Sequence, residues 1–240
     1  MGFLMKKNID LDKRIIFALD VNTISQVEKW LGILKDHVKF YKIGLELFVS
    51  EGMAVVDKVI RAGCEVMLDL KLYDIPQTVF RTVKEICKKE ITFLTVHGNL
   101  DILKAAVEGA AGAKVNILGV TVLTSLDEKD LREMGYPVHT EQLVLKRAEL
   151  AQKAGCAGVV ASGLEAKIIR EKLGDSLIIV TPGIRPGFSI KGDHKRVLTP
   201  KDAILNGSDY LVIGRPIRDS LNPVATVYKI KEEIRQRGIR

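Results

Sequence analysis

Eight short runs rich in β-branched residues alternate with longer amphipathic stretches, and this alternation limits the folds open to the chain. The runs are almost continuously apolar, which is typical of parallel strands covered by helices. The predicted strands are Ile15–Asp20, Phe40–Gly44, Glu65–Leu70, Phe93–His97, Ile117–Leu123, Gly158–Ala161, Leu177–Thr181 and Tyr210–Ile213. The predicted helices include Ile24–Lys35, Met53–Ala62, Thr78–Lys89, Thr140–Ala154, Leu164–Leu173 and Val224–Arg237.

Eight βα units in 240 residues match the usual size of a (β/α)8 barrel, which is therefore the predicted fold. A doubly wound open sheet is the alternative. No linker or low-complexity segment divides the sequence, and 47% hydrophobic residues suffice for one sizeable core. We expect a single domain over residues 1–240, with residues 1–13 as an N-terminal extension.

Composition excludes several classes of protein. No apolar run reaches the roughly 18 residues of a membrane span, and the segment Met1–Lys7 does not resemble a secretory signal. Lys6 argues against myristoylation, so we expect a cytoplasmic protein. Cys64, Cys87 and Cys156 are widely separated, which predicts reduced, buried thiols and neither a disulfide framework nor a zinc site.

The net charge of +7 comes from 37 basic and 30 acidic residues that are interspersed along the chain. Nucleic-acid binding usually needs clustered basic residues, and aromatic residues for stacking make up only 5% of the sequence. We therefore expect no nucleic-acid partner. A positive field that attracts a small anionic substrate fits the same charge.

A barrel places its chemistry at the carboxyl ends of the strands. Asp69 and Lys71 are two positions apart, so their side chains share one face of a strand, the barrel interior. Charges are costly there unless they are paired, and Lys42 on the preceding strand could join them. A structural ion pair at the rim is the simpler alternative. The other polar residues at strand ends are Asp20, His97, Thr124, Ser125, Ser162, Thr181 and Arg215.

The segment from Asp69 to Thr78, Asp-Leu-Lys-Leu-Tyr-Asp-Ile-Pro-Gln-Thr, closely resembles the signature of the orotidine 5'-phosphate decarboxylase family. Further similar segments follow in family order between about residue 14 and about residue 220. They are Phe17–Asp20, Lys42–Phe48, Leu123–Ser125, Thr181–Pro186 and Val212–Ile217. The resemblance implies a cofactor-free barrel enzyme that removes CO2 from orotidine 5'-phosphate to make UMP.

The resemblance implies a catalytic tetrad of Lys42, Asp69, Lys71 and Asp74. Lys71 would face C6 of the pyrimidine, stabilise the carbanion and donate the proton. Asp69 would lie near the substrate carboxylate, whereas Lys42 and Asp74 would hold the array and contact the ribose. The implied substrate-binding residues are Asp20, Lys42, Asp69, Leu70, Lys71, Leu72, Tyr73, Asp74, Ile75, Pro76, Gln77, Thr78, Thr124, Ser125, Pro182, Arg185, His194, Gly214 and Arg215.

The resemblance also implies a homodimer with shared sites, in which Asp74, Ile75 and Thr78 reach into the neighbouring subunit. Simpler roles remain open for several residues. Pro76 could merely begin the next helix. Asp20 could cap the helix after the first strand, a role that Ser25 or Thr23 could fill instead. The hydroxyls of Thr124 and Ser125 could satisfy backbone groups, and a structural role is favoured for His97 over acid–base chemistry.

A phosphate site is predicted at Gly214 and Arg215. A glycine between a strand and a helix start lets the backbone approach an anion, and barrels often bind phosphate after strands seven and eight. Residues 185–200 form a long basic loop, predicted to close on the phosphate with Arg185 as a contact. His194 stands where the family usually has glutamine, and histidine cannot reproduce both amide functions.

Two other functions stay open. Magnesium-dependent keto-sugar-phosphate decarboxylases and hexulose phosphate synthases resemble the same Asp-x-Lys-x-x-Asp pattern, but they carry glutamate where this chain has Lys42. A lysine there repels Mg2+, which takes oxygen ligands. A barrel that binds phosphorylated ligands without catalysis is the other possibility, because a fold alone does not define function.

Overall fold

The strands form one closed parallel barrel in the computed structural model, which describes residues 9–188 and 198–235. Each strand pairs with the next along the chain, and the first also pairs with the eighth. The predicted barrel is therefore confirmed, and the open-sheet alternative is wrong. The strands are β1 (Ile15–Leu19), β2 (Phe40–Gly44), β3 (Glu65–Leu72), β4 (Phe93–Val96), β5 (Asn116–Val120), β6 (Gly158–Val160), β7 (Ile178–Thr181) and β8 (Tyr210–Ile213).

Helices cover the outside of the barrel, and each helix predicted from the sequence overlaps an observed one. In the part of the chain that is described they are α1 (Leu11–Arg14), α2 (Ile24–Leu34), α3 (Leu45–Glu51), α4 (Met53–Arg61), α5 (Pro76–Ile86), α6 (Leu100–Gly109), α7 (Glu128–Glu133), α8 (Thr140–Ala154), α9 (Ala166–Leu173), α10 (Pro200–Leu205), α11 (Arg215–Arg218) and α12 (Pro223–Arg235). No helix in residues 9–188 or 198–235 combines the length and the apolar character that a membrane span requires.

Local side-chain chemistry explains two boundaries. Thr23 is the N-cap of α2, and its hydroxyl accepts a hydrogen bond from the Gln26 N–H, so Ser25 lies inside the helix. Strand β5 ends at Val120, three residues earlier than expected. There the N–H and the hydroxyl of Thr121 both donate to the Val160 carbonyl, at 3.1 and 2.8 Å. Thr124 and Ser125 therefore lie in a loop beyond the strand.

The barrel interior is filled in layers. Phe40, Phe93 and Tyr210, at the amino ends of β2, β4 and β8, form an aromatic cluster with ring centroids 5.1–5.8 Å apart. Smaller apolar side chains lie in the same interior cluster, namely Ile16, Ala18, Met67, Leu118, Val180 and Val212. A second, larger core lies between the strands and the helices. The interior is thus packed at the amino end, which leaves the carboxyl end for a site.

Helix α1 and the residues before it cover the amino end of the barrel. Ile9 packs against the interior cluster, and the buried Arg14 donates to the Asp209 carbonyl at 3.0 Å. The ammonium of Lys231, on α12, is almost fully buried and binds the Asp12 carboxylate and the His37 carbonyl. Residues 9–13 of the predicted extension are therefore part of the fold, whereas residues 1–8 lie outside the described part of the chain.

Candidate active site

Strand β3 is irregular where it reaches the carboxyl end of the barrel. Leu68 pairs with Leu94 and Leu72 pairs with Val96, so the three residues 69–71 of β3 lie opposite the single residue Thr95 of β4. Within this bulge Lys71 has a φ of +49°, the one positive φ among described residues other than glycine. A left-handed lysine costs about 1–2 kcal/mol, and such strain is concentrated at functional sites.

Four charged side chains form a line of alternating sign at the mouth of the barrel. The Lys71 ammonium donates to Asp69 Oδ1 at 3.0 Å, and the Lys42 ammonium lies 3.8 Å from Asp69 Oδ2. Lys42 also donates to Asp20 Oδ1 at 3.2 Å. The side chains of Lys42 and Asp69 are each 13% exposed, whereas that of Lys71 is 38% exposed. The pairing of Lys42, Asp69 and Lys71 that the sequence suggested is found, with Asp20 as a further member, and Lys71 is the more accessible of the two ammonium groups.

A cavity of about 200 Å3 adjoins this line of charges. Its charged lining is formed by Lys42, Asp69 and Lys71, and the loop that carries Thr124 and Ser125 lines it as well. The remaining lining is mostly apolar and comprises Met67, Val120, Val122, Leu123, Val160, Ala161, Pro182 and Val212. Nucleotide-sized ligands usually need about 300–1,000 Å3, so this cavity suits the base of a nucleotide.

Thr95 is the residue of this site that the sequence reasoning missed. Its side chain is fully buried, and its hydroxyl contacts both the Asp69 carboxylate and the Lys71 N–H at 2.9 Å. The alternation of side chains along β4 could have indicated that Thr95 faces the barrel interior, since Thr95 is two residues after Phe93, which lies there.

The segment after β3 turns away from the cluster. All six residues from Tyr73 to Thr78 are exposed, and Pro76 begins α5 in its first turn. The Asp74 carboxylate accepts a hydrogen bond from the Ile75 N–H at 2.6 Å. Asp74 therefore does not bind Lys42 or Lys71 in the described contacts of a single chain, and the segment presents its polar groups outward.

Three other residues from the signature lie away from the cavity. Leu70 and Leu72 pack against the core between barrel and helices, because alternation along β3 directs them away from the interior. Gln77 lines a separate surface groove together with Phe80 of α5 and Lys104 of α6. Their predicted contact with substrate stays a prediction.

His97 follows β4 directly and packs edge-on against the ring of Tyr73, with centroids 5.5 Å apart. Burial, followed by the positive charges of Arg147 and Lys71, lowers the pKa of His97. The packing of His97 on an aromatic ring agrees with the structural role favoured from the sequence.

Arg185 and Arg215 follow β7 and β8 at the carboxyl end of the barrel and are near enough to interact electrostatically. Burial, and then the charge of Arg215, lowers the pKa of Arg185. Gly214 precedes α11 where an added Cβ would lie 3.1 Å from Asp20 Oδ2 and 3.2 Å from Ala18 Cβ, so a side chain would crowd the site. Two guanidinium groups next to a glycine at a helix start offer donors that suit a phosphate.

The loop predicted to close on the phosphate is described only at its ends. Ile184 and Leu198 form a parallel bridge, and the Arg185 N–H donates to the Leu198 carbonyl at 3.0 Å. These contacts hold the two ends of the loop together beside β7. Residues 189–197, including Gly192, Asp193 and His194, lie outside the described residues.

Known proteins resemble this chain along almost all of its length. Residues 13–230 match the model of the Orotidine 5'-phosphate decarboxylase / HUMPS family. The orotidine 5'-phosphate decarboxylase of Desulfosudis oleivorans is 47% identical over 232 residues, covering 92% of this chain and 93% of the relative. The same-named protein of Methylococcus capsulatus is 43% identical over 236 residues, covering 98% and 97%.

Two solved structures are also similar to this chain. The crystal structure of orotidine 5'-phosphate decarboxylase from Lactobacillus acidophilus superimposes with a TM-score of 0.82 at 38% identity, covering 92% of this chain and 99% of that one. The structure of an uncharacterized conserved protein from Geobacillus kaustophilus has a TM-score of 0.80 at 33% identity, with the same coverage.

Proposed function

The chain belongs to the orotidine 5'-phosphate decarboxylase family, and we propose that it makes UMP in pyrimidine biosynthesis by stabilising a carbanion with its own charges. The observation that carries the mechanism is the accessible Lys71 ammonium, which lies 3.0 Å from Asp69 beside a base-sized cavity. We propose that neither a metal nor an organic cofactor takes part.

Lys71 performs the central step. Breaking the bond between C6 and the carboxyl carbon releases CO2 and leaves the bonding electron pair on C6, in the plane of the ring. The ring cannot delocalise that pair, so the stabilisation must come from a positive charge fixed in advance at C6. The Lys71 ammonium supplies this charge and then transfers a proton to C6, which gives UMP. Lys71 regains its proton from solvent.

Asp69 and Lys42 keep this charge in place. Asp69 holds the Lys71 ammonium at 3.0 Å, and Lys42 offsets the carboxylate from its other side at 3.8 Å. A substrate carboxylate placed beside Asp69 meets like charge, and this repulsion is relieved when CO2 departs. Lys42 and Asp20, which are joined at 3.2 Å, are placed to bind the ribose hydroxyls.

The two ends of the substrate are bound by different chemistry. Thr124, Ser125 and Pro182 line the cavity where the polar edge of the pyrimidine would lie. Arg185 and Arg215 bind the phosphate, which is supported by their positions after β7 and β8, where barrels often bind phosphate. The backbone of Gly214 can approach the phosphate because a glycine adds no side chain next to Asp20.

We also propose that the active enzyme is a homodimer with shared sites, in which Asp74, Ile75 and Thr78 complete the neighbouring site. The support is the run of exposed residues from 73 to 78. Within it the large side chains of Tyr73 and Ile75 are 70% and 66% exposed, and they lie on the same segment as Asp74 and Thr78. Contact with a second copy of the chain would bury them.

Lys42 argues against the magnesium-dependent enzymes that share this family's fold. Its ammonium lies between the carboxylates of Asp20 and Asp69, where a divalent cation would need oxygen ligands. A barrel that only binds phosphate would have no use for Lys42, Asp69 and Lys71, because these charges line the cavity that we assign to the base.

The test is a spectroscopic assay of the purified protein with orotidine 5'-phosphate, with and without EDTA. We expect loss of the substrate absorbance and formation of UMP at the same rate in both cases. An enzyme that loses activity in EDTA, or that leaves orotidine 5'-phosphate unchanged, would contradict the proposal.

A further inference from the structure

We propose that Thr95 is a positioning residue of this site: its hydroxyl orients the Asp69 carboxylate and holds the backbone turn that directs the Lys71 ammonium toward the substrate. The inference deepens the proposed decarboxylase function and rests on it. In the proposed mechanism Thr95 does not contact the reacting atoms and acts through Asp69 and Lys71.

One hydroxyl group connects both members of the Asp-x-Lys pair. Thr95 Oγ1 accepts a hydrogen bond from the Lys71 backbone N–H at 2.9 Å and lies 2.9 Å from Asp69 Oδ1. A hydroxyl carries one proton and has lone pairs to accept others. Since the amide must be a donor, the Thr95 proton is directed to the carboxylate, and both contacts are satisfied together.

The register of the barrel explains why a side chain is needed here. Three residues of β3 face Thr95 alone, between the pairs Leu68–Leu94 and Leu72–Val96. The Lys71 N–H, in a left-handed residue inside this bulge, donates to the Thr95 hydroxyl at 2.9 Å. A buried N–H without a partner is costly, so the hydroxyl stabilises the bulge that turns Lys71 toward the cavity.

The same hydroxyl holds Asp69 by a neutral contact. Asp69 Oδ1 accepts from both Thr95 and the Lys71 ammonium, and Asp69 Oδ2 faces Lys42 at 3.8 Å. Both lysines also have to interact with the substrate. A substrate carboxylate would push Asp69 away, and Thr95 resists that rotation without adding charge. Because Thr95 is fully buried, its own rotamer is fixed by packing.

Thr95→Val and Thr95→Ser separate the hydroxyl from the shape of the side chain. Valine keeps the branched shape and removes the hydroxyl, whereas serine keeps the hydroxyl and removes a methyl group. Thr121→Val is the matched control, since Thr121 is equally buried and its hydroxyl donates to the Val160 carbonyl instead of the charges. That carbonyl also accepts from the Thr121 N–H, so it keeps a partner.

Each variant is measured for kcat and KM with orotidine 5'-phosphate, and for the affinity of UMP and of a UMP analogue with an ionised oxygen at C6. For Thr95→Val we expect kcat to fall about 10- to 100-fold, because the variant loses one hydrogen bond to a charged group. We expect KM and UMP affinity to change less than about threefold and the analogue to bind more weakly. Thr95→Ser and Thr121→Val should keep kcat within about threefold of the parent.

The inference is overturned if Thr95→Val retains the parent kcat, if serine is as slow as valine, or if KM and UMP affinity worsen as much as kcat. If the valine variant does not fold, Thr95→Cys takes its place, because a thiol is a weaker donor and acceptor. The unmodified enzyme distinguishes the two proposals. If it fails to decarboxylate orotidine 5'-phosphate, the proposed function is wrong, whereas an active parent with an active valine variant refutes only the role of Thr95.

Discussion

Removing the Lys71 ammonium is the most direct test of the proposed mechanism. The ammonium lies 3.0 Å from a carboxylate oxygen, and we expect it to approach the C6 carbanion as closely. Two unit charges at about 3 Å attract by about 5–6 kcal/mol at an effective dielectric constant of about 20. That energy corresponds to about 10^4-fold in rate, so Lys71→Ala should lower kcat by at least about 10^4-fold.

The assay is the decrease in orotidine 5'-phosphate absorbance, combined with UMP binding by calorimetry and circular dichroism of the variant. UMP lacks the carboxylate, so its affinity should change by less than about tenfold. Lys114→Ala is a suitable control, since that lysine is exposed and pairs with Glu90 at 3.6 Å on the surface. A folded Lys71→Ala protein that binds UMP and keeps a tenth or more of the parent kcat would refute the carbanion mechanism.

Further predictions concern the dimer, the phosphate and the core. An equal mixture of inactive Lys71→Ala and Asp74→Ala chains, unfolded and refolded together, should recover about a quarter of the parent activity, because half of the dimers regain one complete site. No recovery, with dimers confirmed by light scattering, would contradict shared sites. Arg215→Ala should raise KM about 10- to 100-fold with a smaller effect on kcat, because it removes a charged contact to the phosphate. Steady-state kinetics with orotidine 5'-phosphate measures both constants. Tyr41→Phe should leave the free energy of unfolding unchanged or raise it by up to about 1 kcal/mol, because the buried Tyr41 hydroxyl has no partner among the described residues. A loss of more than about 1 kcal/mol in urea unfolding would count against this reasoning.

The barrel could be predicted from sequence because its signal is local. Eight apolar runs that alternate with amphipathic stretches indicate parallel strands, and the observed ranges of β2 and β8 match the expected ones residue for residue. Alternation also placed Asp69, Lys71 and Lys42 on the inner face. The ends of strands were less predictable: β5 stops at Val120, and the N–H and hydroxyl of Thr121 both donate to the Val160 carbonyl of β6.

Thr95 could not be identified in the same way. A threonine in a strand is ordinary, and its importance arises from the register between β3 and β4, which depends on residues 24 to 26 positions apart. The signature likewise suggested contacts for Leu70 and Leu72, although the pleat directs them to the outer core. A contiguous motif indicates that a site is present, but the pleat and the bulge decide which of its side chains reach it.

The aromatic cluster of Phe40, Phe93 and Tyr210 has a consequence for the order of events in turnover. With that end filled, we expect nucleotide and gas to leave through the opposite end, where the cavity lies. In the proposed binding mode the ribose phosphate lies nearer to solvent than C6, so carbon dioxide would have to diffuse past bound UMP or wait for it. UMP, if it leaves last, occupies the opening through which orotidine 5'-phosphate must enter. We therefore expect UMP to be a competitive inhibitor with respect to orotidine 5'-phosphate.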